Sequence, residues 1–456
     1  MSTPTPPPPA GSPPTPSPSP PRTARSLAPD LARGFMLLLI AMANSGWYLW
    51  GHPSNLTSAH PTDGTGLDRV LRAIMAIAVD GRILPLFAFL FGYGMVQFAR
   101  SRSARGLHPV HIKRMLRRRH LGMLLLGFLH ALLLFAGDIL GAYAVLGLIL
   151  MLAFEATNRT LRIIVWVLVG YAAVSGVTGM LTLGQLSASG FDVTGADSGF
   201  DFSMNYFFSG IDHFAIAMAA RVVMWLVTSP GLIFTGTIPA AIILGWLFAR
   251  HAVLEQPERW RPQLTKLAIG GIAVGWLFGV PVALDHLGHP IMSEAVALGY
   301  LTLNYVGGVA AGLGYAAAIA LIAARYRPPH PAPEGSTGAA RSPGPVVRAL
   351  AAVGKRSLTF YLMQSLIFAP LLSAWGFGLG SRINTTVALL IALGIWLLSV
   401  LLAALLEAKG LRGPMEVVLR RLTYLPDDKL TLPAPPPPPA AHRPAPSPPH
   451  REESRS

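Results

Sequence analysis

The chain alternates long apolar runs with short polar segments that are rich in arginine. Most apolar runs are near the ~20 residues that a helix needs to cross a hydrocarbon layer of ~30 Å. The pattern therefore predicts an all-α protein, a polytopic transmembrane helical bundle of about ten spans. Single runs lie at residues 31–50, 83–99, 163–183, 231–249, 267–284, 297–324, 358–375 and 385–406.

The two remaining spans form a predicted hairpin over residues 112–154. A basic cluster at 113–119 precedes the first run, and Gly137 and Asp138 separate it from the second. Because short cytoplasmic loops are enriched in Lys and Arg, the basic cluster places the start of the hairpin in the cytoplasm and its turn on the outer side. The other strongly basic loops then fall on the cytoplasmic side, so both termini are predicted to be cytoplasmic.

Two further segments are predicted to be helices that do not cross the membrane. Polar and apolar residues in 68–79 are spaced as on an amphipathic helix lying in the interface. Residues 214–227 are short for a span and contain Arg221, so we interpret them as a re-entrant or interfacial helix. Glycines at every fourth residue over 271–279 predict a face for close helix packing.

Composition along the chain indicates one domain with irregular ends. Residues 30–425 are the predicted transmembrane domain. Residues 1–29 and 431–456 are rich in Pro, and such segments bury too little apolar surface to fold, so we expect disordered tails. Residues 331–346 are expected to be a disordered cytoplasmic linker inside the domain.

Overall composition supports the membrane assignment and excludes several kinds of chemistry. The 456 residues are 52% hydrophobic and 12% charged, with a mean hydropathy of +0.49, whereas a soluble domain has ~25% charged residues. The net charge of +15 lies in short loops and tails, so we expect the lipid bilayer, and not nucleic acid, as partner. The absence of cysteine excludes disulfides and thiol nucleophiles. No cleavage site follows the first run, so we expect a multi-pass protein of the inner (plasma) membrane.

The candidate chemistry centres on His130 and Asp138. An ionisable group at membrane depth indicates function because its burial is unfavourable. On a straight helix the two residues would be ~12 Å apart, but a turn at Gly137 can fold Asp138 back toward His130. His130 is then a base or proton relay that Asp138 orients. The alternative is a buried histidine bonded to a neighbouring helix, with Asp138 capping the helix that starts at Ile139.

Other polar residues are assigned to the same site. Asn44, His52, Arg82 and Arg221 are predicted in the outer half of the membrane, His52 as a second catalytic candidate and the other three as substrate-binding residues. Two further substrate-binding candidates lie on one face of the ninth span, namely Tyr361 and Gln364. For this pair, the alternative is hydrogen bonding between helices.

Five segments of the chain resemble a bacterial family, the YeiB-like proteins or domain of unknown function 418. They are DLARGFMLLLIAMAN at 30–44, GRILPLFAFLFGYGM at 81–95, LLLGFLHALLLFAGDILGAYAVLGL at 124–148, GKRSLTFYLMQSLIF at 354–368 and RGPMEVVLRRLTY at 412–424. The first span is also similar to that of integral-membrane acyltransferases. This resemblance implies transfer of an acyl group from a cytoplasmic thioester, with acyl-coenzyme A as donor, to a lipid or small-molecule acceptor at or beyond the membrane.

One position departs from the acyltransferase pattern. One group of these enzymes carries a histidine eleven residues after the arginine of the first span, and counting from Arg33 gives Asn44. An amide cannot act as a general base near pH 7. Another group has asparagine at this position and places its working histidine after the first span, where this chain has His52 and His60. Position 44 therefore cannot supply the base, and acyl transfer would need a histidine elsewhere in the chain.

Two functions follow as hypotheses. The first is an acyltransferase, and the alternative is a transporter or permease component for a small polar or anionic solute, supported by prolines inside several spans. A third interpretation is a membrane component that assists export or resistance without chemistry. We expect no bound cofactor and no metal, because the sequence contains no phosphate-binding loop, HExxH motif or GxSxG motif.

Overall fold

The computed structural model describes residues 27–55, 57–191, 204–326 and 342–424, and every regular element in these ranges is helical. The α-helices in chain order are α1 (Leu27–Ser45), α2 (Gly66–Ala78), α3 (Ile83–Ser103), α4 (Pro109–Leu133), α5 (Leu140–Leu150), α6 (Asn158–Ala188), α7 (Phe214–Phe234), α8 (Thr237–Arg250), α9 (Arg261–His286), α10 (Glu294–Ala324), α11 (Pro345–Lys355), α12 (Ser357–Leu372), α13 (Thr385–Ala408) and α14 (Pro414–Thr423).

Helix length and composition within these ranges are those of a membrane protein. Seven helical stretches are long and apolar enough to cross a membrane, and three shorter apolar helices accompany them. The seven are Leu27–Tyr48, Gly66–Ser103, Asn158–Ala188, Phe214–Phe234, Arg261–His286, Glu294–Ala324 and Thr385–Ala408. The predicted all-helical membrane class is confirmed, while the count of ten spans stays a prediction.

The boundary between α7 and α8 differs from the one predicted. Helix α7 has 21 residues and continues through Pro230, so the premise that this segment is too short to cross is wrong. The chain breaks instead at Gly236, whose φ of +79° is a conformation that residues with a Cβ rarely adopt. Helix α8 has 14 residues and is therefore shorter than the apolar run at 231–249.

The predicted tails and linker lie mainly outside the described residues. Helix α1 begins at Leu27, inside the tail predicted for residues 1–29, and α11 begins at Pro345, inside the linker predicted for residues 331–346. The tail predicted for residues 431–456 lies wholly outside the described part of the chain.

Helix α1 lies at the centre of the bundle and contacts α3, α10, α11, α12 and α13. It crosses α11 at glycines, because a Cβ on Gly34 would overlap the carbonyl of Leu350 and a Cβ on Gly354 would overlap the carbonyl of Asp30. Between helices in lipid the hydrophobic effect contributes little, so close backbone contact of this kind supplies the packing energy.

The predicted hairpin is present as α4 and α5, which pack against each other. The turn between them runs from Leu134 to Ile139 and contains Gly137 and Asp138, as predicted. Helix α5 has only 11 residues. At a rise of ~1.5 Å per residue it extends ~17 Å, about half of a hydrocarbon layer. Asp138 in this turn is buried, with an exposed fraction of 2%, so the turn is enclosed by neighbouring helices.

Helices α9 and α10 pack along the glycine face predicted at 271–279. A Cβ on Gly271 would lie 2.5 Å from the Ala310 carbonyl oxygen, and one on Gly275 would overlap Ala311.

The predicted amphipathic helix is present as α2. It begins with a capping box in which Thr65 and Asp68 exchange hydrogen bonds.

Gly275→Ala is expected to lower the free energy of unfolding by about 1–3 kcal/mol, because the added methyl group overfills the contact between α9 and α10. Thermal unfolding of the purified protein in detergent measures the change. Gly270→Ala on the same helix is the matched control, since nothing lies within 4 Å of its added Cβ. Equal destabilisation by both variants would show that this contact does not set the stability.

Candidate functional site

The centre of the candidate site is the hairpin turn that joins α4 to α5. His130 lies in the last turn of α4, and the backbone N–H groups of Leu134 and Phe135 both donate to its carbonyl oxygen, at 2.9 and 3.0 Å. This reversal of the chain brings Asp138 Oδ1 to 2.8 Å from His130 Nδ1. Both side chains are buried, with exposed fractions of 1% and 0%. The turn thus makes the direct contact that a straight helix would prevent.

Three protein donors surround the Asp138 carboxylate. Its Oδ1 accepts from His130 Nδ1 and from the hydroxyl of Tyr361 at 3.3 Å, and its Oδ2 accepts from the N–H of Gly141 at 2.7 Å. Asp138 therefore bonds His130 and caps the N-terminus of α5 at the same time, while the role of His130 as a base stays a prediction. The positive end of the α5 dipole also favours a negative charge at this position.

The close approach of α4 and α5 depends on glycine. A Cβ on Gly127 would overlap the backbone nitrogen of Gly141 and would lie 2.6 Å from Asp138 Oδ2. Any larger side chain at Gly127 would therefore displace the carboxylate from its donors.

The bond to Asp138 sets the tautomer of a neutral His130 ring. A carboxylate only accepts hydrogen bonds, so the neutral imidazole that makes this contact carries its proton on Nδ1 and its lone pair on Nε2. This Nε2 is buried and has no hydrogen-bond partner among the described residues. An imidazole held in this tautomer is able to take a proton from a hydroxyl group.

Tyr361 on α12 joins the pair to the rest of the bundle. Its hydroxyl accepts from the N–H of Ile139 at 3.3 Å while it donates to Asp138, and its ring centre is 5.1 Å from that of His130. Of the residues predicted for the site, His130, Asp138 and Tyr361 are therefore in direct contact.

Aromatic side chains and Arg221 lie beside the same hairpin. The Phe135 ring is 6.3 Å from the His130 ring and stacks on Tyr48 at 5.2 Å. Arg221 on α7 is fully buried, and its Nε donates to the carbonyl of Leu132 at 3.2 Å. Its two terminal nitrogens have no hydrogen-bond partner in the described ranges. Arg221 therefore reaches the turn that holds His130.

A cavity of about 710 Å³, which we call the basic cavity, reaches the site from the end of the bundle that carries basic loops. Tyr361 and Leu140 line it, so it extends to the residue that holds Asp138. Its lining includes two carboxylates, Glu407 and Glu416. The cationic residues of its lining are Arg33, Arg102, Arg119, Lys355, Arg356, Arg412 and Arg420.

Comparison with known proteins identifies the C-terminal part of the chain. The family described as "Protein of unknown function (DUF418)" matches residues 248–426. The chain carries a DUF418 region. This confirms the family expected from the sequence. The chain is also similar to "Uncharacterized protein YxaH" of Bacillus subtilis (strain 168), with 24% identity over 416 residues that cover 87% of this chain and 93% of the relative. No solved structure matches significantly.

The DUF418 region includes Tyr361 but not the hairpin with His130 and Asp138. Gln364, the second candidate on α12, also lies in this region, where its Nε2 donates to the carbonyl of Leu37 at 2.9 Å. This is the interhelical hydrogen bond that the sequence offered as the alternative to substrate binding. Its Oε1 is buried without a partner among the described atoms.

The residues at the end of the first span do not join His130. Asn44 is half-buried in the last turn of α1. His52 lies in the following loop, where its Nδ1 is 3.0 Å from Asp63 Oδ2. The His60 side chain is buried, and its ring packs against Gly46. The structure thus provides no contact that supports His52 as a catalytic residue. Within the described ranges, no three His, Asp or Glu side chains are placed to hold a metal ion.

Arg82 lies at the junction of α3, α9 and α10, outside the contacts of the His130 cluster. Its Nη1 donates to the Asp80 carbonyl and, at 2.7 Å, to Asn304 Oδ1, while its Nη2 donates to the Gly275 carbonyl at 2.5 Å. Both terminal nitrogens are thus occupied by the protein, and the side chain is fully buried. These contacts favour a structural role for Arg82, and its predicted substrate-binding role stays a prediction. The sequence could not show this, because Asn304 is 222 residues away.

The sequence did not indicate that Arg102 and Arg420 line one cavity. Arg102 and Arg420 belong to basic segments that topology alone explains, and only the fold brings them to one cavity. Likewise Tyr48 belongs to an aromatic segment typical of a membrane interface, yet it packs inside the bundle with an exposed fraction of 1%.

Arg82→Met is expected to lower the free energy of unfolding by about 3 kcal/mol, because it leaves the Asn304 and Gly275 acceptors buried without donors. Unfolding in detergent measures the change. Arg69→Met on α2 is the control, since Arg69 is exposed. Unchanged stability of the Arg82 variant would contradict the structural role.

His60 is expected to make the protein less stable in acid. Burial lowers the pKa of His60 from 6.5 to about 3, with smaller contributions from His286 and Arg72. The unfolded chain binds a proton below pH ~6.5 while the folded protein does not, so stability falls as the pH is lowered from 6.5 toward 3, by at most ~1.4 kcal/mol per pH unit.

Replacing His60 by Gln is expected to flatten this pH dependence. The measurement compares unfolding in detergent at pH 7 and pH 4.5 for the parent chain and for His60→Gln. His289→Gln is the control because His289 is exposed. The same pH slope in all three proteins would show that His60 does not titrate as its burial requires.

Proposed function

We propose that this chain is a multi-pass acyltransferase of the inner (plasma) membrane, with about ten spans and both termini in the cytoplasm. It passes an acyl group from acyl-coenzyme A to an extracytoplasmic or lipid-level acceptor. One observation carries the proposal, namely that Asp138 holds His130 by Nδ1 and leaves a buried Nε2 without a partner. This arrangement resembles the base of hydroxyl-activating enzymes, in which a carboxylate fixes the tautomer of the imidazole.

The proposed reaction needs one base and no metal. An acceptor hydroxyl gives its proton to His130 Nε2 as its oxygen attacks the thioester carbonyl carbon. The carbon–sulfur bond then breaks, and the leaving thiolate takes the proton from the imidazolium. The products are the acylated acceptor and coenzyme A. Asp138 stabilises the imidazolium, and Tyr361 and Gly141 hold Asp138 in place.

The basic cavity supplies the proposed route for the donor. It extends to Tyr361, the residue that bonds Asp138, and its lining is cationic. The acceptor is proposed to approach the other side of the hairpin, where Arg221 has two terminal nitrogens without protein partners in the described ranges. The two substrates would then meet at His130.

His130→Gln is expected to reduce acyl transfer by about 10²–10⁴-fold, since the base is lost. The purified protein in detergent is incubated with labelled acyl-coenzyme A and a panel of lipid and sugar acceptors, and loss of the thioester is measured. Asp138→Asn keeps an oxygen that can cap α5, but its amide can donate to the ring and favour the wrong tautomer. We therefore expect a decrease for this variant as well.

His251→Gln is the matched control for this experiment, because His251 is exposed and lies outside the site. It is expected to keep full activity. If the parent chain consumes no thioester with any acceptor, or if His130→Gln consumes it at the same rate, the acyltransferase proposal fails.

The alternative function is a transporter or permease component for a small polar or anionic solute. The short helices α5, α8 and α12 favour it, since helices that end inside a bundle form solute sites in transporters. A transporter moves its solute without consuming a thioester, so solute uptake by proteoliposomes in the absence of thioester loss would select this function.

A further inference from the structure

We propose that the basic cavity binds a phosphate ester through three arginines, Arg102, Arg119 and Arg420, while the organic part of the ligand extends toward Tyr361. The inference rests on the proposed function only for the nature of that organic part. The phosphate site itself follows from the charges and contacts of the cavity.

The cationic charge of the cavity is not balanced by its carboxylates. Seven cationic side chains and two carboxylates line it. Glu407 is engaged by Lys355 at 2.5 Å and by Arg356 at 2.8 Å. Glu416 accepts from the N–H groups of Leu358 and Thr359 at the start of α12, at 2.8 and 3.2 Å. Glu407 is therefore paired with two cations, whereas the neutral donors of Glu416 leave its charge in place, and the seven cations still exceed the two carboxylates.

The three arginines are held together by two aromatic rings. The Arg102 guanidinium lies 4.2 Å from the Phe98 ring centre and 5.4 Å from that of Tyr424. Arg119 lies 5.8 Å from the same Phe98 ring, and Arg420 lies 5.0 Å from the same Tyr424 ring. Cation–π contacts of this kind hold guanidinium groups in place without neutralising them. The protein thus concentrates three positive charges around one aromatic pair.

No ion pair joins these three arginines to a carboxylate in the described part of the chain. Arg102 Nε is also buried without a hydrogen-bond partner in the same ranges. Like charges that are gathered in a partly buried cavity repel one another unless an anion lies between them. Guanidinium groups bind phosphate in bidentate fashion, and three of them around one cavity match a phosphate ester better than a single carboxylate.

The remainder of the cavity is suited to the apolar chain of an organic ligand. Met36, Leu90, Phe91 and Met123 line it together with Leu140. A volume of about 710 Å³ is in the range of sites for organic ligands of moderate size. The cavity therefore combines a cationic entrance with an apolar interior, and the ligand chemistry that matches both is a phosphate ester on a chain.

Two sources supply this chemistry, a soluble nucleotide thioester and an anionic phospholipid. The experiment measures binding to the purified protein in uncharged detergent, with coenzyme A and a short-chain phosphatidylglycerol as separate probes. Pantetheine, which lacks phosphate, is the matched negative probe. We expect at least one phosphate-bearing probe to bind, and pantetheine to bind at least 10-fold more weakly than coenzyme A if coenzyme A is the ligand.

Arg420→Gln is the main variant because Arg420 is exposed and its replacement does not disturb the core. It is expected to weaken binding of the phosphate probe about 10-fold, and the triple variant with Arg102→Gln and Arg119→Gln at least 100-fold. Arg421→Gln is the matched control, since Arg421 is the next residue of α14 and does not line the cavity. It is expected to change the affinity less than 2-fold.

The outcomes separate this inference from the proposed function. Binding of either phosphate probe that depends on the arginines supports the site, and the probe that binds identifies the source. His130→Gln is expected to bind the probe as the parent chain does. If the parent chain and His130→Gln both bind the probe while the parent chain consumes no thioester, the acyltransferase proposal fails and the phosphate site stands. Equal affinity of the parent chain, Arg420→Gln and the triple variant for both probes would overturn the site.

Discussion

The buried carboxylate of Asp138 is the interaction on which the candidate site depends. A carboxylate inside a bundle is tolerated only where donors replace the water it has lost. Here three elements supply them, namely the end of α4 through His130, the start of α5 through Gly141, and α12 through Tyr361. The same bonds that make the charge acceptable also set the position and tautomer of His130. Stability of the turn and orientation of the proposed base therefore arise from one set of contacts.

Tyr361 links this turn to the basic cavity, so the two regions form one arrangement. Its hydroxyl bonds Asp138 while the residue also lines the cavity, and it lies in the DUF418 region that the hairpin precedes. Charge is distributed unevenly along this path. Near His130 the buried carboxylate has its full set of donors, whereas at the cavity entrance several cations lack acidic partners in the described ranges. The entrance is thus suited to an anionic ligand, and the interior holds the proposed base.

The sequence predicted those features that depend on local pattern. The helical class, the hairpin with its turn at Gly137 and Asp138, and the amphipathic helix α2 all follow from periodicity and turn residues. The boundary between α7 and α8 was not predicted, because the apolar helix α7 continues through Pro230 to Phe234 and the chain breaks at Gly236. Contacts between distant segments could not be predicted. Nothing near Arg82 in the sequence indicates that Asn304 accepts from it, and nothing near Arg102 indicates that Arg420 shares its aromatic partner.

Arg82 and Arg221 show why burial alone does not indicate a binding site. Both are fully buried, and the sequence predicts both as substrate-binding residues. The terminal nitrogens of Arg82 meet protein acceptors, so its burial is already compensated and a ligand would have to displace those acceptors. Arg221 binds the Leu132 carbonyl through Nε, and its terminal nitrogens have no acceptor in the part of the chain that the structure describes. The Phe214 and Trp375 rings lie 5.5 and 5.7 Å from this guanidinium, and such contacts hold the charge without supplying a hydrogen-bond acceptor, which water, lipid or substrate would provide. Because Leu132 follows His130 on α4, such an acceptor would lie beside the hairpin of the proposed base, so Arg221 fits the proposed chemistry better than Arg82 does.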